Sequence, residues 1–188
     1  MFTLASASPR RRELLAQVGL EPRVAVYAID ETPRPSEVPA DYVCRMAEEK
    51  LLTALQVETG VVLAADTVVV YDFDVLGKPK DEADNVQMLG RLSGQTHAVI
   101  TAVAVGTRQD HTVRAVRSEV RFAELSPSII ERYVASGEGL DKAGGYGIQG
   151  VAGGFVAGIS GSYSAIVGLP LFESVELLRA AGAIPAWP

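Results

Sequence analysis

Apolar and polar positions fall into blocks along the chain that predict an α/β protein. The run "VVLAADTVVVY" (61–71) is rich in β-branched residues, which is typical of a strand buried on both faces. A hairpin is predicted directly after it, around Asp72 to Asp74. The segment "THAVITAVAVGTRQDHTVRAVRSEVRF" (96–122) predicts two long strands joined near Gln109 and Asp110. A short strand is predicted over residues 2–5.

Helices are predicted between the strands from apolar spacing and from end signals. Ser8 is a suitable N-cap, Pro9 suits the first helical position, and Gly19 ends this first helix. Further helices are predicted over about residues 41–59, 81–92, from Ser126-Pro127 onward, 162–167 and 170–181. The strands and helices alternate without a strict βαβ order. We therefore expect a mixed, strongly twisted central sheet with flanking helices in a single domain, residues 1–188.

Composition and charge narrow the class of protein. The chain has 188 residues, of which 48 % are hydrophobic and 21 % charged, as in a globular domain with a proper core. The net charge of −6 argues against a general nucleic-acid binder. A lone cysteine, Cys44, excludes an internal disulfide and fits a reducing cytoplasm. No secretory signal pattern is recognised at the first residues.

One uncharged stretch, residues 143–172, is long enough to span a bilayer. Nine of its residues are glycines, and Pro170 would break a helix near its end. This composition suits a buried, loop-rich segment better than a lipid-facing helix, so no membrane association is expected.

The opening run "LASASPRRRELLAQVGL" places three arginines at a helix start, where the helix dipole favours acidic residues. A strand, a Ser-x-Ser turn and a helix N-terminus together form an anion pocket. The hydroxyls of Ser6 and Ser8 add donors, and Arg10 and Arg11 carry planar guanidinium groups suited to phosphate oxygens. The alternative is a capped surface helix with solvated arginines, to which we assign the third arginine.

Asp66 and Lys50 are charged residues at predicted buried positions. Burying an unpaired carboxylate is costly, so Asp66 needs a metal ion, a basic side chain or a water that it activates. The alternative is an aspartate bonded to backbone in a β-bulge. Lys50 falls in the middle of the apolar stripe of the second predicted helix. A buried anionic partner explains this placement better than a lysine that extends to water.

The glycine-rich segment between residues 137 and 168 holds eleven of the eighteen glycines. Glycines allow close approach of backbone to a ligand, and Gln149 offers a donor and an acceptor to a base edge. Lys78 lies in the turn-like stretch "LGKPKDE". The compact ammonium group of a lysine in such a turn is suited to contact a phosphate oxygen. For the glycine-rich segment, the alternative is a tight loop with a purely structural role. For Lys78, the alternative is chance placement. His97 and His111 lack metal-site spacing and are predicted to be structural.

Six motifs resemble the Maf family in order and spacing: "SASPRRRELL", "DE" at 30–31, "AEEK" ending at Lys50, "AADTVV", "GKPKD" and "DKAGGYGIQG". The resemblance implies a fold similar to inosine triphosphate pyrophosphatases. It also implies cleavage of nucleoside triphosphates between the α and β phosphates with a divalent metal, Mg²⁺ or Mn²⁺. The version with "YGIQG" is similar to the branch that acts on dTTP and UTP. The family also carries an older label as septum formation inhibitors.

The resemblance carries roles to individual positions. Asp66 matches the catalytic aspartate described as the proton acceptor. Other charged residues of the family's active site match Glu31, Lys50 and Lys78. The family's triphosphate-binding turn matches Ser8, Arg10 and Arg11. Arg11, Thr67 and Gln149 match the positions that choose the base. Glu31 and Asp66 can hold the metal, and whether Asp66 binds metal, takes the proton or does both stays open.

The expected function is hydrolysis of dTTP, UTP and related modified pyrimidine triphosphates to a monophosphate and pyrophosphate. One alternative is a nucleotide-binding regulator of cell division without turnover. Another is a phosphohydrolase acting at the γ-phosphate. The expected partner is the nucleotide, with no nucleic acid and no membrane, in the cytoplasm. The oligomeric state stays open from the sequence; the resemblance allows a homodimer, because Maf relatives commonly form one.

Overall fold

The computed structural model describes residues 1–185. Within this range the strands are β1 (Thr3–Ala5), β2 (Arg23–Ala25), β3 (Val62–Tyr71), β4 (Asp74–Leu76), β5 (Thr96–Gly106), β6 (His111–Phe122) and β7 (Val156–Ser160). The α-helices are α1 (Pro9–Gln17), α2 (Pro39–Leu55), α3 (Glu82–Leu92), α4 (Pro127–Val134), α5 (Tyr163–Val167) and α6 (Leu171–Ala180). Two short 3₁₀ helices cover Ala143–Gly145 and Val151–Phe155.

The strands form one seven-stranded mixed sheet in the order β2-β1-β3-β5-β6-β7, with β4 paired to β3. β1 runs parallel to both of its neighbours, with Leu4 opposite Val24 in β2 and Leu63 in β3. The β3–β4 and β6–β7 pairs are antiparallel. The predicted mixed α/β sheet with flanking helices is confirmed.

The chain divides into two compact units, each assembled from separate stretches of sequence. The first unit contains residues 1–66, 101–116 and the stretch from 168 on, and the second contains residues 67–100 and 117–167. The strands β3, β5 and β6 each contribute residues to both units. Whether the chain is a single domain stays a prediction.

Each unit has its own buried apolar residues. In the first unit, Leu4, Leu15, Met46, Leu51 and Leu63 are fully buried. In the second unit, the core includes an aromatic cluster with edge-to-face contacts. Its ring centroids lie 5.0 Å apart for His97 and Phe122, 4.8 Å for Phe122 and Tyr146, and 5.2 Å for Tyr133 and Phe155. Such ring pairs stabilise a core beyond the area that they bury.

Most predicted elements are confirmed, and the differences lie at ends and in one strand. α2 covers Pro39–Leu55 instead of 41–59, because Pro39 supplies the first helical position and the chain leaves the helix after Leu55. β7 was not predicted, since "VAGIS" is short and contains a glycine. Its hydrogen bonds come from β6, with Glu119 opposite Ser160, and this pairing is remote in sequence.

The uncharged stretch 143–172 forms 3₁₀ turns, β7 and short helices. Among residues 1–185, no helix combines the length and the apolar character that crossing a bilayer requires.

Candidate active site

The turn before α1 is organised by Ser6. Ser8 occupies the N-cap position with extended backbone, and Pro9 begins the helix, as predicted. The Ser8 hydroxyl does not cap the helix; instead, the Ser8 N–H donates to Ser6 Oγ at 3.2 Å. The first turn of α1 contains no acidic side chain. The helix start therefore carries positive charge from both its dipole and its arginines.

Arg11 is held from two sides in the first unit. Its Nη1 donates to Ser6 Oγ at 3.0 Å, and its Nε donates to the Gly168 carbonyl at 2.8 Å. Burial lowers the pKa of the guanidinium, and Asp66 and Glu31 act in the opposite direction by attraction. Arg11 nevertheless stays a cation at neutral pH. The two hydrogen bonds fix the direction of a cation that interacts with both carboxylates.

Lys50 joins the two predicted metal ligands. Its Nζ lies 2.6 Å from Asp66 Oδ1 and 2.7 Å from Glu31 Oε1. The side chains of Lys50 and Asp66 are only 16 % and 15 % exposed, whereas that of Glu31 is 59 % exposed. The predicted buried anionic partner of Lys50 is therefore confirmed, and the partner that Asp66 required is an ammonium group.

Glu31 is placed by two residues that the sequence interpretation missed, Tyr42 and Arg45. Both lie on α2, three positions apart and so on neighbouring parts of one helix face. The Tyr42 hydroxyl donates to the Glu31 carbonyl at 2.9 Å, and Arg45 Nη2 donates to the Thr32 carbonyl at 3.2 Å. No sequence pattern indicated these two residues, because both donate to backbone carbonyls, which are present at every position of the connector.

The remaining predicted residues occupy different positions. Ser8 and Arg10 lie at the start of α1 in the first unit. Thr67, Lys78 and Gln149 belong to the second unit. Thr67 follows Asp66 on β3, and Lys78 is exposed between β4 and α3.

Within the second unit, two predicted loops are joined through their backbones. The Gly144 N–H donates to the Gly77 carbonyl at 3.0 Å, which connects the "GKPKD" loop to the "DKAGGYGIQG" loop. Gln149 is exposed at the tip of the latter loop. The structure thus brings Arg11, Glu31, Lys50 and Asp66 together in the first unit and joins the loops of Lys78 and Gln149 in the second.

The carboxylates of Glu31 and Asp66 have the chemistry of a divalent cation site. Both direct an oxygen to one point, which Lys50 Nζ occupies with positive charge. Mg²⁺ is usually held by one or two carboxylates together with substrate phosphates. Residues 1–185 contain no group of three or more histidine, cysteine or acidic side chains placed to hold a metal ion. The two carboxylates therefore supply donor oxygens of the kind that a divalent cation takes.

Comparison with known proteins decides the family. The family model described as "Maf-like protein" matches residues 1–181. The chain belongs to the Maf family. Three similar members are all named dTTP/UTP pyrophosphatase. That of Sphingopyxis alaskensis is 53 % identical (96 % of each chain covered), and that of Hahella chejuensis 52 % (99 % of this chain, 94 % of the relative). That of Shewanella sp. (strain MR-7) is 50 % identical (96 % and 98 %).

Two solved structures resemble this Maf-family chain more distantly. The Ham1 protein of Staphylococcus aureus is 13 % identical, with a TM-score of 0.47 over 65 % of this chain and 72 % of that chain. A nucleoside-triphosphatase, also named dITP/XTP pyrophosphatase, from Mycobacterium abscessus is 17 % identical, with a TM-score of 0.47 over 98 % of both chains.

Proposed function

We propose that this chain is a nucleoside triphosphate pyrophosphatase that hydrolyses dTTP and UTP to the monophosphate and pyrophosphate. One observation carries the proposal: the chain is 50 to 53 % identical, over 96 to 99 % of its length, to three relatives named dTTP/UTP pyrophosphatase. The clustering of Arg11, Glu31, Lys50 and Asp66 supports it, because cleavage of a triphosphate needs both a base and cationic side chains.

In the proposed reaction, Asp66 is the general base. A water oxygen attacks the α-phosphorus, its proton passes to the Asp66 carboxylate, and the bond between the α-phosphorus and the α–β bridging oxygen breaks. Pyrophosphate leaves with the electron pair of that bond. Lys50 directs the Asp66 carboxylate through the 2.6 Å hydrogen bond to Oδ1, which keeps the base in one orientation.

The cationic residues bind the substrate phosphates in this proposal. Arg11 has a direction fixed by Ser6 and Gly168, so little side-chain entropy is lost when it contacts an anion. Ser8 and Arg10 contribute from the start of α1, and Lys78 contributes a flexible ammonium group. Arg11, Thr67 and Gln149 are the proposed base-selecting residues.

Glu31 and Asp66 would hold a Mg²⁺ or Mn²⁺ ion, whose chemistry there is to neutralise phosphate charge. Their carboxylates already share one cation, Lys50, so both are directed to a common point. Glu31 is the more exposed of the two, which leaves it accessible to a cation that arrives with the nucleotide.

The test is product analysis with purified protein, dTTP or UTP, and Mg²⁺ or Mn²⁺. We expect pyrophosphate and the nucleoside monophosphate. Orthophosphate and a diphosphate would identify the γ-phosphohydrolase instead. Binding without any product above background would identify the regulator of cell division that does not turn over substrate.

Asp66→Asn gives the sharpest residue test of this mechanism. We expect turnover to fall by about 10²-fold or more, because the amide cannot accept the proton of the attacking water. The matched control is Asp72→Asn, at the exposed hairpin turn after the same strand, where asparagine also tolerates the positive φ of 51°. Circular dichroism checks that both variants fold. Full activity in Asp66→Asn would mean that this buried acid is structural.

The cytoplasmic location and the absence of nucleic-acid and membrane partners stay predictions, and the oligomeric state stays open.

A further inference from the structure

Gln149 lies at the tip of a tight turn in the second unit. The Gly150 N–H donates to the Gly147 carbonyl at 3.0 Å, so Ile148 and Gln149 are the two central residues of a β-turn. Ile148 is half-buried and Gln149 is exposed. The 3₁₀ helix Val151–Phe155 follows at once. The side chain of Gln149 is therefore presented by a turn whose two ends are only three residues apart.

Both ends of this turn are bound by two side chains from outside it. The Gly147 N–H donates to Tyr133 Oη at 3.1 Å at one end. At the other end, the Val151 N–H donates to Glu138 Oε2 at 2.9 Å. The Tyr133 hydroxyl in turn donates to Glu138 Oε1 at 3.1 Å, which joins the two supports to each other. The turn and its supports thus form one closed network of hydrogen bonds.

The flanking glycines of "GIQG" allow this network to approach the turn. A Cβ on Gly150 would lie 2.4 Å from Glu138 Oε1, and a Cβ on Gly147 would lie 2.9 Å from Lys142 Cε. Real Cβ atoms do not approach other atoms this closely, so a side chain at position 150 would displace Glu138 and one at position 147 would displace Lys142. Lys142 Nζ donates to the Glu138 carbonyl at 2.5 Å, which fixes the lysine within the same loop.

The supports are themselves anchored in the core of the second unit. Tyr133 is 3 % exposed, and its ring packs on Phe155. Burial raises the pKa of the Tyr133 hydroxyl, so it stays protonated at neutral pH and can donate to Glu138. Tyr146, next to the turn, is also buried, and its hydroxyl lies 2.7 Å from His97 Nε2. The backbone on both sides of Gln149 is therefore held by buried or charged groups.

We propose that Tyr133 and Glu138 are positioning residues that set the base selectivity of hydrolysis by fixing the turn that carries Gln149. The inference rests on the proposed function, in which Gln149 contacts the base. Selecting a base by hydrogen bonding requires a donor and an acceptor at fixed places, because a mobile amide adapts to a wrong base edge. Neither residue is proposed to touch the substrate.

The experiment compares kcat and KM for UTP and GTP in the full-length protein, in Glu138→Gln and in Tyr133→Phe. Glu138→Gln places an amide NH₂ against groups that already donate to the carboxylate, and Tyr133→Phe removes the acceptor for Gly147. We expect the ratio of kcat/KM for UTP to that for GTP to fall about tenfold in each variant, as for one base hydrogen bond lost. The fall should arise mainly from a higher KM for UTP.

Two controls separate positioning from a general loss of structure. Glu131→Gln makes the same chemical change at an exposed position on α4 and should leave the ratio unchanged. In a Gln149→Ala background, adding Glu138→Gln should lower the ratio no further, because both changes act on the same base contact. Melting temperatures identify any variant that is only unstable.

The possible results distinguish the proposed function from the inference about Tyr133 and Glu138. If wild type prefers UTP and Gln149→Ala loses this preference, but both support variants keep it, the inference is overturned and the proposed function stands. Equal losses of kcat/KM for UTP and GTP would likewise assign Tyr133 and Glu138 a purely structural role. If wild type releases no pyrophosphate from UTP, the proposed function fails and the inference fails with it.

Discussion

At the level of single residues, the Lys50 ammonium allows two carboxylates to lie close together. Asp66 and Glu31 both contact Lys50 Nζ, at 2.6 and 2.7 Å. Without a cation between them, two such carboxylates would repel each other, and Asp66 is mostly buried. Removing Lys50 would therefore disturb both acids at once, so a variant at this position cannot separate their roles. A neighbouring residue gives a cleaner test.

Tyr42→Phe should test whether the placement of Glu31 matters for turnover. The change removes only the hydroxyl that donates to the Glu31 carbonyl at 2.9 Å. A lost hydrogen bond of this kind is worth about 1 kcal/mol. We expect kcat/KM for dTTP to fall about fivefold, with a melting temperature within a few degrees of wild type.

Tyr163→Phe is the matched control for this prediction, since Tyr163 is 48 % exposed at the start of α5. It should leave kcat/KM unchanged. Unaltered activity in Tyr42→Phe would mean that the other contacts of the connector suffice to place Glu31.

At the level of elements, the connector between β2 and α2 has neither helix nor strand, yet it is fixed at both ends. Near its start, the Tyr27 hydroxyl donates to the buried Glu58. Near its end, Arg45 donates to both carboxylate oxygens of Glu37 at 2.6 Å. A bidentate contact between an arginine and a carboxylate constrains the relative orientation of the two groups and also stabilises their interaction. The connector can therefore hold Glu31 in place without regular backbone pairing.

Glu37→Gln should loosen this connector without unfolding α2. The hydrogen bond from Arg45 lowers the pKa of Glu37 to about 2, so the ion pair is fully formed above pH 4.5 and is lost as the pH falls through about 2. At pH 7 we expect several-fold faster hydrogen exchange of the connector amides in the variant, measured by mass spectrometry.

Glu21→Gln, at an exposed position just before β2, is the control for that change and should exchange like wild type. Uniformly faster exchange over the whole chain would show global destabilisation instead. Unchanged exchange in Glu37→Gln would show that the Tyr42 and Tyr27 contacts hold the connector without the ion pair.

At the level of the whole molecule, stability should depend on pH through His97. This side chain is 2 % exposed, and burial lowers its pKa from 6.5 to about 4. Between these pH values the unfolded chain binds more protons than the folded chain. The stability that neutral His97 contributes to the folded chain is therefore fully present above pH 6.5 and is lost as the pH falls toward 4. The loss amounts to about 3 kcal/mol of unfolding free energy.

Urea unfolding at pH 7.5 and pH 5 measures the part of this loss that falls between these two pH values, about 2 kcal/mol. His97→Gln should reduce the difference in unfolding free energy between the two pH values. The comparison with this variant is needed because carboxylates also titrate at the lower pH. An identical difference in wild type and His97→Gln would show that other groups cause the pH dependence.

Much of this architecture follows from local sequence signals. The apolar runs gave β3, β5 and β6, and the Ser-Pro and Asp signals gave the starts of α1, α3 and α4. Asp66 and Lys50 were recognisable because a charge inside an apolar pattern requires a partner. These features depend on residues close together in the chain, so composition and spacing are sufficient to find them.

Other features arise from contacts between remote parts of the chain. β7 exists because β6 offers it hydrogen bonds, and Tyr42 reaches Glu31 only after the connector has turned back onto α2. The support of the Gln149 turn by Tyr133 and Glu138 is of the same kind. Many polar residues could form each of these hydrogen bonds, so the residue types in the sequence do not show which partners meet. Only the folded chain forms them, because a hydrogen bond requires donor and acceptor atoms about 3 Å apart, and tertiary packing brings remote residues to that distance.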